Sequence, residues 1–138
     1  MFLALSTANG GEKAKQPAPA PHPLAEAKLK AAQEAYRLHV ERAKMGGSDS
    51  FNEEKWYQMS VRVLQSEQEL SKNKGDRIAA FRAHCDRMTE LEALAKRFGK
   101  AGAAAPERVA STRFFRLEAE IWLDRARAGK EKDREGDS

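Results

Sequence analysis

Apolar residues recur every three or four positions through four consecutive runs of about twenty residues, each bounded by glycine, proline or a capping side chain. That period fits helices and excludes the strict alternation of half-buried strands. In the first run, from Pro23 or Leu24 to Met45, Ala25, Leu29, Ala32, Tyr36, Val40 and Ala43 share one face, and Gly46-Gly47 mark a turn. The second run covers residues 53–73 behind Asn52, a good N-cap with Glu53 and Glu54 at the positive helix end. It carries Trp56, Met59, Val63, Leu64 and Leu70, with Tyr57 and Val61 widening the arc.

Lys74-Gly75-Asp76 then reads as a stop followed by a start, with Gly75 taking a left-handed C-terminal conformation and Asp76 capping the next helix. The third run, residues 77–98, lines up Ile78, Phe81, Cys85, Met88, Leu91, Ala95 and Phe98, and Gly99 and Gly102 mark its turn. Pro106 opens the fourth run at a favoured first-turn position, and Gly129 ends it after Ala128. Its expected core face is Val109, Ala110, Phe114, Leu117, Ile121 and Leu123. Short connections make neighbouring helices antiparallel, so the expectation is an all-α, up-and-down four-helix bundle over residues 24–129. If the break at Gly75 is not real, the second and third helices fuse into an elongated three-helix coiled coil. In the bundle, both glycine-marked turns lie at one end.

The flanks differ from the runs. Residues 1–8, Met-Phe-Leu-Ala-Leu-Ser-Thr-Ala, resemble the tail of a signal peptide but lack a basic n-region, leaving an exported, periplasmic setting and a cytoplasmic one both open. Residues 9–23 form a Pro/Ala-rich linker, whose alternating prolines favour extended polyproline II. Residues 130–138 are a charged tail with nothing to bury, expected to be disordered.

The charge balance narrows the partners. Twenty-five basic and 21 acidic side chains leave a net +4, but the signs alternate along the helices, which is the pattern of a solvated face. Only the basic end of the last helix and the tail offer a weak nucleic-acid surface. No apolar run reaches the length of a membrane-spanning helix. With Cys85 as the sole cysteine, an intrachain disulfide is impossible.

A shift of 53 residues without a gap aligns Ala27 with Ala80, Leu38 with Leu91, Gly46 with Gly99, Glu54 with Glu107, Leu64 with Leu117, Glu67 with Glu120 and Leu70 with Leu123. The chain thus reads as two related helical hairpins, an internal repeat. The second unit, with Gly102 at the turn, Val109 opening the returning helix and Ala119-Glu120 further along, resembles the periplasmic hairpin tip of TolC-like outer-membrane efflux proteins. Gly47, Trp56 and Ser66-Glu67 match less closely in the first unit. The resemblance implies a cell-envelope location and a hairpin that packs against other helices. Channel activity does not carry over, because no segment alternates as barrel strands must.

Catalytic chemistry has no foothold in the sequence. It contains no phosphate-cradling glycine loop, nucleophile elbow or zinc-protease motif, and no Glu-x-x-His pair of the kind that builds di-metal bundle sites. His84, Cys85 and Met88 are the only cluster of soft ligand types, one helical turn across, and the alternative reading is a small-ligand or metal-binding bundle. Cys85 and Met88 also fall on the apolar stripe, where both are ordinary core fillers. Adjacent aromatics such as Trp56-Tyr57 and Phe114-Phe115 cannot both face one narrow core, which leaves one of each pair for a partner. The sequence therefore points to a non-enzymatic protein of structural or protein-protein contact, without cofactor, self-association included, with Trp56, Tyr57, Phe115 and Trp122 as the candidate partner-binding residues.

Overall fold

Each helix begins where a side chain or proline removes the problem of its unpaired first amides. The computed structural model describes residues 22–46, 51–100 and 106–129. Helix α1 (Pro23–Gly46) starts behind His22, whose Nδ1 accepts the Leu24 amide at 3.0 Å, with Pro23 in the first turn. Helix α2 (Glu53–Leu70) is capped by Asn52, whose Oδ1 accepts the Lys55 amide at 2.9 Å. Helix α3 (Lys74–Lys100) is capped by Asn73, which accepts the Asp76 amide at 2.8 Å, while Asp76 reaches back to the Lys72 amide at 3.1 Å. Helix α4 (Pro106–Ala128) ends at Gly129, whose φ of 74° is the left-handed C-terminal conformation glycine adopts without strain.

The break between the second and third helices is therefore real, and the fused three-helix alternative is excluded. Its chemistry differs from the expectation. The stop is Ser71, in extended conformation with its hydroxyl on the Glu67 carbonyl, and the start is Asn73. Gly75 lies inside the first turn of α3, and Asp76 is the reciprocal partner of the cap rather than the cap itself. Gly46 is the last residue of α1, and Gly99 lies within α3 one residue before its end. Gly47 and Gly102 lie outside the described residues, as do residues 1–8, most of the linker and the tail 130–138.

The architecture is an all-α, up-and-down four-helix bundle made of two hairpins. α1 pairs with α2, α2 with α3 and α3 with α4, while α2 also meets α4. The helix ends flanking both hairpin turns come together at one end: the rings of Phe51 and Phe98 lie 5.2 Å apart, and Arg108 bridges to Glu53 at 3.2 Å. At the opposite end Lys28 of α1 pairs with Glu69 of α2 at 2.9 Å.

The expected faces of α1, α2 and α3 turn inward, with Trp56, Met88, Leu91 and Ala43 fully buried. α4 is rotated from the expectation. Leu123 is buried and Val109 packs against the core as expected, but Phe114, Leu117 and Ile121 are 62%, 45% and 49% exposed, and Thr112, Phe115, Ala119 and Ala126 complete the buried face. The reason is close approach. Thr112, Ala119 and Ala126 recur every seventh residue and let α4 lie tight against α3, its most extensive partner. Half a turn of rotation would put bulky side chains into that contact and expose Phe115 and Leu123.

Candidate functional site

Two features of the bundle carry chemistry beyond packing: a sealed polar network between α2 and α3, and the outer face of α4. In the first, Ser60 and His84 are fully buried, with Ser60 Oγ and His84 Nδ1 2.7 Å apart. Arg87 donates from Nε to Ser60 Oγ at 2.6 Å and from an Nη to the Ser60 carbonyl at 3.2 Å. Ser60 Oγ accepts from Arg87 and shares a second hydrogen bond with His84 Nδ1, whose direction follows the imidazole tautomer. Burial, and secondarily the Arg87 charge, hold the His84 pKa down at about 3, so the ring is neutral. Nε2 is buried without a hydrogen-bond partner.

Aromatic rings close around this network. Trp122 stacks on His84 with centroids 5.6 Å apart, and Tyr57 meets the same ring edge-on at 6.1 Å. Tyr57 also stacks on Phe115 at 4.2 Å and donates its hydroxyl to Glu118 at 2.7 Å. Arg87 lies over the Tyr36 ring, and the Tyr36 hydroxyl accepts from Trp56 Nε1 at 2.8 Å. A hydroxyl bonded to an imidazole has the parts of a nucleophile and base, but a nucleophile must meet its substrate, and neither group touches solvent. The network ties α2 to α3 through buried polar groups.

The same burial decides the other candidate residues. Trp56 is fully buried, Phe115 is 6% exposed, and Tyr57 and Trp122 are half-buried in the ring cluster. The four pack together in the bundle interior, and among the described aromatic residues the strongly exposed one is Phe114. Cys85 and Met88 lie in the hydrophobic core, and burial raises the Cys85 pKa, keeping the thiol protonated. His84 spends Nδ1 on Ser60, and among the described residues no three His, Cys, Asp or Glu side chains are grouped to hold a metal ion. A groove of about 340 Å³ lies between α1 and α2, walled by Ala31, Ala32, Ala35 and Met59, with exposed Lys28 and Arg62 as its charges. Among the described residues no helix is long and apolar enough to cross a membrane.

The outer face of α4 is the feature sequence reasoning misassigned. Ala110, Phe114, Leu117 and Ile121 are all exposed and follow 4-3-4 spacing, a continuous stripe on the side opposite Thr112, Ala119 and Ala126. The signal was present as a second apolar period within α4, offset by half a turn from the small-residue repeat. Charges flank the stripe: Arg113 and Glu120 on one side, Glu118 and Arg125 on the other. The chain matches no family model, no curated protein and no solved structure with significance.

Proposed function

We propose that this chain is a non-enzymatic interaction module, a four-helix bundle that presents the outer face of α4 to a helical protein partner. The observation that carries the reading is the exposure of Phe114, Leu117 and Ile121 together on one stripe, on a helix whose opposite face already fills the core. A helix apolar on two sides loses stabilisation unless both are covered, and anchors at i, i+3 and i+7 suit helix-against-helix docking. The hairpin resemblance to efflux proteins supports the same mode of contact.

Site-specific photocrosslinking in cells tests the reading. A benzophenone side chain at position 114, 117 or 121 should yield discrete protein adducts, whereas one at exposed Lys30 of α1 should not. Absence of adducts from all three α4 positions would sink the proposal. Fractionation of the same cells checks the envelope setting that the resemblance implies, and recovery with cytosolic proteins would remove it.

A further inference from the structure

We infer that the occupant of the α4 face is a second copy of this chain, docked in parallel so that the two α4 helices form a two-stranded seam. The inference rests on the docking role proposed above and deepens it by naming the partner. Written as a heptad, Phe114, Ile121 and Ala128 fall at a, and Ala110, Leu117 and Asp124 at d, all of them exposed. The flanking g positions are then Arg113, Glu120 and Arg127, and the e positions Ser111, Glu118 and Arg125. In a parallel pair each g side chain faces the e residue five positions further along the other strand. Arg113 therefore meets Glu118 of the second copy and Glu120 meets Arg125, so these two pairs, each made twice across the two-fold axis, join opposite charges.

These side chains are available for the exchange. Arg113 is 54% exposed and its pairing with Glu92 is loose at 3.5 Å. Glu120 is 47% exposed and holds Arg116 through Oε2 at 2.7 Å, and Glu118 uses Oε1 for Tyr57, so each contact across the seam falls to the other carboxylate oxygen. α1 also exposes large apolar residues, but Leu24, Leu38 and Met45 stand seven or more positions apart, too sparse for a continuous seam. An antiparallel pair that layers Phe114 on Leu117 would set Arg113 against Glu120 but leave Arg125 beyond the start of the other helix.

Sedimentation of the full chain over a wide concentration range gives the first readout, with a monomer–dimer equilibrium expected. Phe114→Ser should abolish the dimer while leaving the monomer's far-ultraviolet spectrum unchanged, since the side chain is exposed. Arg125→Glu sets two carboxylates against each other at both flanking contacts of that pair, and Glu120→Arg sets two guanidinium groups there. Each variant alone should weaken the dimer about tenfold, and an equimolar mixture of the two should restore it as a heterodimer. A wild-type chain that stays monomeric throughout overturns the inference, as does a dimer that Arg125→Glu leaves intact. Photocrosslinks from α4 to other proteins, with a monomeric wild type, would refute the second copy and leave the docking role standing. With neither crosslinks nor a dimer, both readings fall.

Discussion

At positions 39 and 92, which the 53-residue shift makes equivalent, the first hairpin buries an imidazole and the second a carboxylate, 8% and 4% exposed. His39 sits edge-on to Trp56 at 6.2 Å inside a ring cluster with Tyr36 and Phe51. Burial lowers its pKa, so it remains a neutral filler. Glu92 hydrogen-bonds Arg116, with Lys96 and Arg113 each 3.5 Å away. Burial alone would raise its pKa, but the Arg116 bond and the surrounding positive charge outweigh that and hold it below the ordinary carboxylate value. Two hairpins with the same helix spacing thus close by different means, one by packing around a tryptophan and the other by a buried anion in a cationic cage.

The largest effect should come from the packed hairpin. Trp56→Ala removes a fully buried side chain and strips the Tyr36 hydroxyl of its donor, so a loss of about 3–5 kcal/mol is expected in urea unfolding. A loss below about 1 kcal/mol would show that Trp56 does not hold this hairpin together.

The caged anion should matter less. Glu92→Gln leaves Arg116 without its charge partner, but Arg116, Arg113 and Lys96 all reach water, so the cost is discounted to about 2 kcal/mol. Molar salt should shrink the difference between Glu92→Gln and the parent, whereas the Trp56→Ala deficit should persist. A salt-independent Glu92→Gln effect would mean that shape, not charge, closes the second hairpin.

The joint between the hairpins is tested by pH. His84 is neutral when folded, with its pKa at about 3, but takes up a proton near its ordinary value once unfolded. The unfolded state therefore binds the extra proton, and the stability held above pH ~6.5 declines as pH falls from there toward 3. His39 contributes with the same sign. His84→Gln, whose amide pairs with a hydroxyl in either role, should remove about 1.4 kcal/mol per pH unit from the slope between pH ~6 and ~5. An unchanged slope would show that His84 is not neutral and buried in the folded chain.

Local chemistry was legible in the sequence, and non-local pairing was not. The bounds of α4 follow from Pro106 and Gly129, because a first-turn proline and a left-handed glycine act within their own turn. The faces of α1 to α3 follow from single apolar periods. α4 carries two periods, and hydrophobicity favours the wrong one, since Phe114, Leu117 and Ile121 outweigh Thr112, Ala119 and Ala126 until the closeness of α3 is known. The partners of His84 were equally hidden, for Ser60 and Arg87 meet only when α2 and α3 pack, and Ser60 lies 24 residues away in the chain. At the α2–α3 corner the sequence points to Asp76 as the cap, whereas Asn73, three residues earlier, caps α3 and Asp76 reaches back to the Lys72 amide.

The order of the helices in space follows their order along the chain, with a corner of only three residues between α2 and α3. Each helix therefore meets its main partner by closing a short loop, and little chain entropy is spent before contacts form. A molecule wired in this way searches few arrangements on its way to the native one. The seven-residue repeat of small side chains on α4 then does for assembly what it does for packing: it accepts α3 in one rotational setting, and every refolding leaves the same stripe on the outside of the bundle.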